Sequence, residues 1–161
     1  EARMNDIGES ILYNDQDRNL WNDELIDRGN YYLIKSVGDT ITKYHLEARI
    51  AYWHSSKIEH QDKWEHILQL YNLLLQIDYS SIIALNRTYA LSRVHGKDVA
   101  IREALKLKLE NNPFYYGLLG NLYTHVDDGK AIKYYKKALE LTSAKDVKHQ
   151  IQNLIEKISS L

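Results

Sequence analysis

The stretch that decides the fold is residues 116–141, which read YGLLGNLYTHVDDGKAIKYYKKALEL. Two segments with the apolar spacing of a helix lie on either side of a turn at 127–129, where the sequence is Asp-Asp-Gly. Small and aromatic residues recur along both segments: Gly120, Tyr123, Ala131, Tyr135 and Ala138. Small side chains let two helix backbones approach, and an aromatic ring fills the gap beside them. The stretch therefore predicts a close pair of antiparallel helices.

The same residues resemble a tetratricopeptide repeat (TPR), a helix pair of about 34 residues. Leu119, Gly120 and Tyr123 match the L-G-x-x-Y pattern of its first helix. The A-x3-F/Y-x2-A pattern of its second helix is matched by Ala131, Tyr135 and Ala138. The turn is one residue shorter than in the family, and the final proline is missing. The resemblance implies a repeat array that binds other proteins.

Outward from this pair, the chain continues to read as helices. Similar positions recur at Ile67, Ala100 and Ala131, which lie 33 and 31 residues apart. Ser80, Gly96 and the Asn112-Pro113 dipeptide are local start and stop signals. Apolar periodicity predicts eight helices, at about 18–36, 40–54, 63–77, 81–95, 98–110, 113–125, 130–142 and 144–159.

These features predict an all-α fold, a TPR-like right-handed stack of antiparallel helix pairs in a single domain over 1–161. Residues 1–17 lack helical periodicity and are expected to form an extended arm. Helical pairs follow over 18–142, with the clearest repeat at 113–142. Residues 143–161 are expected to form a helix that caps the stack.

One glycine lies in the middle of the first predicted helix. Gly29 falls on an apolar stripe that runs from Trp21 to Leu33. Glycine inside a helix costs about 1 kcal/mol relative to alanine. We therefore expect Gly29 to mark a place where a second helix crosses closely.

The composition excludes several classes of protein. The chain has no cysteine, which rules out disulfides, thiol catalysis and cysteine metal sites. No apolar run approaches the roughly 18–20 residues of a membrane span, and a cytoplasmic protein is expected. The net charge of −1 predicts no general attraction to nucleic acid.

The charge is unevenly distributed along the chain. Residues 1–30 hold eight acids against three arginines, and the part from Lys130 onward holds seven lysines against three acids. Lys130, Lys133, Lys136 and Lys137 are compatible with an ordinary solvated helix face. The alternative is that an acidic end and a basic end meet different partners.

No catalytic or metal constellation is visible in the sequence. His54, His60 and His66 are each six apart, whereas a helical metal pair needs a spacing of three or four. The Asp-Asp-Gly turn at 127–129 lacks the other ligands of a calcium loop. We expect no cofactor, no metal and no enzymatic activity.

A more specific resemblance runs through the whole chain in order. Its motifs are D-Q-D-R at 15–18 followed by L-W at 20–21, Y-H-L-E-A at 44–48, and A-L-N-R at 84–87 before H-G at 95–96. Together they resemble the C-terminal TPR-like domain of ECF-type RNA polymerase sigma factors, of the sigma-70 family. The resemblance implies a non-catalytic regulatory domain that acts in bacterial transcription initiation.

The resemblance also implies partners. Members of this group have two promoter-recognition regions before the extension, and neither is visible in this chain. The domain itself is therefore expected to bind neither nucleic acid nor membrane. Its implied partners are the sigma regions of the same full-length chain, the RNA polymerase core, or a signalling protein or peptide. The alternative is a free-standing TPR adaptor that binds a peptide of an unrelated protein.

Two sets of residues are candidates for protein contacts. The first stands where the chain turns into the first helix, where it forms either a helix cap with an internal ion pair or a contact surface. The second consists of aromatics on a first repeat helix that could line a groove, although most tyrosines here are expected to pack. The candidates are Asp15, Gln16, Asp17, Arg18 and Trp21 in the first set and Tyr116 and Tyr123 in the second.

Overall fold

The computed structural model describes residues 16–36, 38, 40–56 and 62–160. Within these ranges the fold is all-helical and contains no strand, which confirms the predicted all-α class. In the described part of the chain, a 3-10 turn at Arg18–Leu20 precedes eight α-helices. They are α1 (Asp23–Lys35), α2 (Lys43–Ser55), α3 (Lys63–Ile77), α4 (Ser81–His95), α5 (Lys97–Leu107), α6 (Pro113–Tyr123), α7 (Asp128–Leu141) and α8 (Lys145–Ser159). Most of the predicted arm, residues 1–15, lies outside the described residues.

Side-chain caps set the starts of several helices. The Ser80 hydroxyl accepts from the Ile83 N–H (3.2 Å) at the start of α4. The Asn112 side chain accepts from the Phe114 N–H (2.9 Å), ahead of a proline at the first position of α6. The cap groups take up N–H groups that have no partner inside the helix. The observed limits of α3 and α4 are those predicted.

Three predicted helix limits differ from the observed ones by three residues or more. The second helix begins at Lys43 instead of 40, after its cap residue Thr42. The first helix begins at Asp23 instead of 18, because Asn22 caps it and the residues before form the separate 3-10 turn. The fifth helix ends at Leu107 instead of 110, because Lys108 adopts a left-handed conformation with φ of 51°. A lysine at this position gives no sequence signal comparable to a glycine stop.

The chain divides into two compact units, 1–61 and 62–161. In the second unit each helix packs on the next from α3 to α8, and α4 also contacts α6. A contact between alternate helices is compatible with a TPR-like stack of pairs. The right hand of the stack and its continuity over 1–161 stay predictions.

The core of the second unit is built from small and aromatic residues. Leucines and isoleucines fill the space around them, and the helices from α4 to α8 all contribute. The most buried members are Ala100, Ala104, Leu119, Leu122, Ala131, Tyr135 and Ala138. This mixture of sizes lets the helices lie close together with few voids.

In the first unit, α1 and α2 contact each other. The Thr42 N–H donates to Nδ1 of His45 (3.2 Å), so the ring carries its proton on Nε2 and donates to the Ser36 carbonyl (2.9 Å). One histidine thus ties the end of α1 to the start of α2. None of the residues of α1 is buried, and a Cβ added at Gly29 would have no atom within 4 Å. The prediction of a close crossing at Gly29 is wrong for the described residues.

Candidate functional site

Among the glycines of the described residues, Gly120 allows the closest approach between two helices, α6 and α7. A Cβ added at Gly120 would lie 2.6 Å from Cδ1 of Tyr135. Tyr135 is 3% exposed, and its hydroxyl has hydrogen bonds with Asn121 and Thr124, while burial raises its pKa. The predicted close pair is therefore confirmed, with the ring of Tyr135 filling the space that the missing side chain leaves.

Five side chains form a continuous row across this pair. The ring of Tyr134 stacks on Tyr116 at 6.1 Å between centroids and on Tyr123 at 5.5 Å. At the two ends, Nζ of Lys137 lies 5.0 Å from the Tyr116 ring and Nζ of Lys130 lies 5.4 Å from the Tyr123 ring. We call these five side chains the tyrosine–lysine row. It presents stacked aromatic rings between two cations.

Helical spacing explains how the row forms. Tyr116 and Tyr123 are seven residues apart, which places them two turns apart on one face of α6. Lys130, Tyr134 and Lys137 occupy i, i+4 and i+7 on α7. The two faces meet because Gly120 brings the helices together. Each cation over a ring contributes about 0.5–1 kcal/mol at an exposed site.

Two side chains at one end of the row, Tyr123 and Lys130, have shifted pKa values. The Asp127 carboxylate lies 2.7 Å from Nζ of Lys130, and this contact lowers the pKa of Asp127 and raises the pKa of Lys130. Burial raises the pKa of the Tyr123 phenol, with the neighbouring Tyr134 adding to the effect. The Tyr123 ring is therefore neutral at neutral pH, and Lys130 is charged.

The outer face of α7 adjoins the row. It holds a shallow open depression of about 460 Å³ lined by Gly129, Ile132, Lys133, Lys136, Lys137 and Glu140. Lys137 belongs to both features. A small-molecule pocket is normally concave and buries most of its ligand. An open, lysine-rich depression is better suited to contact with another macromolecule.

The first set of candidate residues forms one local turn. Asp15 lies outside the described residues. The Asp17 carboxylate accepts from the Asn19 N–H (2.9 Å), so it caps the 3-10 turn. Cζ of Arg18 lies 5.8 Å from the ring of Trp21, which is half-buried, and Gln16 is half-buried as well. Gln16, Asp17, Arg18 and Trp21 are thus neighbours in a short cap-and-turn segment.

The second set of candidates is brought together by a residue that the sequence did not single out. Tyr134 lies between Tyr116 and Tyr123 and joins them into one stack. Tyr116 is only 8% exposed, so it offers little area to a ligand. Tyr123 is half-buried. That these two tyrosines line a groove stays a prediction.

The A-L-N-R motif at 84–87 also has a structural role that was not predicted from the sequence. Ala84 and Leu85 are buried, and Nε of Arg87 donates to the Asn72 side chain (2.8 Å). Asn86 has a side-chain hydrogen bond with Tyr71, whose pKa is raised by burial. Both polar pairs are 15 residues apart, so the motif attaches α4 to α3. The spacing of 15 residues, repeated in both pairs, was the sequence feature that could have predicted this attachment.

Over the described ranges, no three His, Cys, Asp or Glu side chains are grouped so that they could hold a metal ion. None of the helices in that part of the chain has the length and apolar character needed to cross a membrane.

Comparison with known proteins finds one bacterial relative. An uncharacterized protein of Rhizobium meliloti (strain 1021) is 32% identical to this chain over 125 residues. The match covers 75% of this chain but only 30% of the relative. No family model matches the chain, and no solved structure matches it significantly.

Proposed function

We propose that this chain is a non-catalytic regulatory and protein-interaction domain of an ECF RNA polymerase sigma factor, which acts in bacterial transcription initiation. The observation that carries the proposal is the α6–α7 pair, in which Gly120 and Tyr135 pack as the TPR resemblance implies. Stacked helix pairs offer extended surfaces suited to binding other proteins.

The assignment to a sigma factor is supported by the D-Q-D-R and A-L-N-R motifs. The segment 16–18 with Trp21 folds as a compact local turn, which gives a defined shape to the residues that carry the first motif. The match to 30% of a bacterial relative is the pattern that a domain within a longer protein gives. As a transcription regulator, the protein would work in the cytoplasm.

The mechanism we propose is docking. The segment Asp15–Trp21, or the groove side of the repeat helices, would contact the sigma regions of the same chain, the polymerase core, or a signalling protein or peptide. Promoter recognition would belong to the sigma regions. This domain would set how those regions meet the polymerase, without touching DNA or membrane.

The test is Arg18→Ala in the full-length protein. Arg18 lies over the Trp21 ring, so the change removes a charge from the proposed contact and loosens the turn. We expect transcription from the target promoter, measured in run-off assays with core polymerase, to fall about two- to five-fold. Arg28→Ala, at an exposed position of α1, is the matched control. Equal transcription by both variants at equal protein levels would remove Arg18 from the mechanism.

The α6–α7 pair would serve a free-standing adaptor equally well, so the native mass must be measured. An antibody raised to this domain is used on an immunoblot of host extract. A band well above 18.9 kDa supports a domain of a longer protein, as the sigma-factor proposal requires. A band near 18.9 kDa would contradict that proposal and favour the adaptor.

A further inference from the structure

Helix α1 carries an exposed stripe in which acidic residues are followed by apolar ones. Glu24, Asp27, Tyr31 and Ile34 follow each other at spacings of three, four and three, so they share one face. Glu24 and Asp27 are exposed, Tyr31 is 54% exposed and Ile34 is 73% exposed. The stripe therefore begins with two acids and ends with two large apolar side chains.

The outer face of α7 carries two cations followed by an apolar residue when it is read from the carboxyl end of the helix. Read from its carboxyl end, the face presents Lys136, then Lys133, then Ile132 and Gly129. Lys133 and Lys136 are exposed, and a Cβ at Gly129 would meet only the Asp127 carboxylate, at 3.5 Å. Two cations are thus followed by an apolar side chain and a position open to close approach.

We propose that α1 of one copy docks antiparallel on α7 of a second copy, so that copies of this chain associate with each other. With the helices antiparallel, Glu24 faces Lys136 and Asp27 faces Lys133. Tyr31 then reaches Gly129 beside Ile132.

The register follows from the spacing alone. Glu24 and Asp27 are three residues apart, as are Lys133 and Lys136, so both charge pairs form at once. Tyr31 lies four residues beyond Asp27, and Gly129 lies four residues before Lys133. At Gly129 the absence of a side chain leaves room for an aromatic ring. Antiparallel packing also sets the two helix dipoles in opposition.

The proposed contact combines a weak and a stronger contribution. Exposed ion pairs contribute little each and are screened by salt. Burial of the largely exposed Tyr31 and Ile34 supplies the apolar part. The association should therefore be salt-dependent, and its specificity should depend on the sign of the four charges.

The experiment is a charge swap on the 161-residue chain, followed by sedimentation equilibrium at about 0.1 M and about 1 M salt. One variant is Lys133→Glu/Lys136→Glu, a second is Glu24→Lys/Asp27→Lys, and a third combines all four changes. The control, Lys145→Glu/Lys148→Glu, alters the net charge equally at exposed positions of α8 with the same spacing. Circular dichroism verifies that every variant keeps its helices.

We expect the wild-type chain to self-associate at low salt. Each two-residue reversal should weaken the association at least about tenfold, because like charges then face each other. The combined variant should return to wild-type behaviour, and the α8 control should match the wild type. A wild-type chain that stays monomeric, a reversal on α7 without effect, or a combined variant that fails to recover would each overturn the proposal.

Discussion

At the scale of single residues, Gly120 decides how closely α6 and α7 pack. Gly120→Ala would place a methyl group 2.6 Å from a Tyr135 ring that is almost fully buried. Overpacking of this kind costs about 1–3 kcal/mol, which outweighs the helix propensity gained, about 1 kcal/mol. We expect the variant to unfold at a lower urea concentration than the wild type, as followed by circular dichroism.

Gly117→Ala is the matched control for that prediction. Gly117 lies in the same helix, and a Cβ added there has no atom within 4 Å. The control should therefore gain stability, by about 0.5–1 kcal/mol. If both alanine variants gained stability alike, the contact with Tyr135 would not be limiting.

At the scale of helices, the start of α6 depends on one side chain. Asn112 accepts from the Phe114 N–H (2.9 Å) and more weakly from the Tyr115 N–H (3.4 Å). Asn112→Ala should cost about 0.5–2 kcal/mol, since it leaves the first N–H groups of the helix to solvent. Asn111→Ala, one residue before the cap, should change the free energy of unfolding far less. Equal losses in the two variants, measured by urea unfolding, would contradict the capping role.

The same scale shows what the sequence could and could not predict. The limits of α4 were predictable because Ser80 and Gly96 act through their own backbone neighbours. The end of α5 was not, because Lys108 adopts a left-handed conformation that its residue type does not signal. Apolar periodicity along the chain shows that a helix is present. A helix end like that of α5, which no glycine marks, depends instead on tertiary packing.

The candidate site, too, was predictable from the sequence only in part. Spacing predicted that Tyr116 and Tyr123 share a face, because seven residues make two turns. Their joining through Tyr134 depends on the distance between α6 and α7, which no spacing within one helix gives. A search for lysines and tyrosines at i, i+4 and i+7 of the next helix would have found the row.

At the scale of the whole molecule, buried phenols tie stability to pH. Burial raises the pKa of Tyr71, Tyr115, Tyr123 and Tyr135 in the folded state. In the unfolded chain these phenols ionise near about pH 10. Below that pH both states keep the protons, so these groups add no pH dependence. Above it the unfolded chain loses protons first, and folding stability falls as pH rises.

We therefore expect the midpoint temperature of thermal unfolding, followed by circular dichroism, to fall steeply between about pH 9 and about pH 11. Lysines also lose charge in that range, so a variant must isolate the phenol. Tyr135→Phe keeps the ring against Gly120 but removes the ionising group, and it should flatten the decline. Tyr79→Phe, at a side chain that is 70% exposed, is the control and should leave the slope unchanged. If the two variants gave the same slope as the wild type, lysine neutralisation alone would account for the alkaline loss.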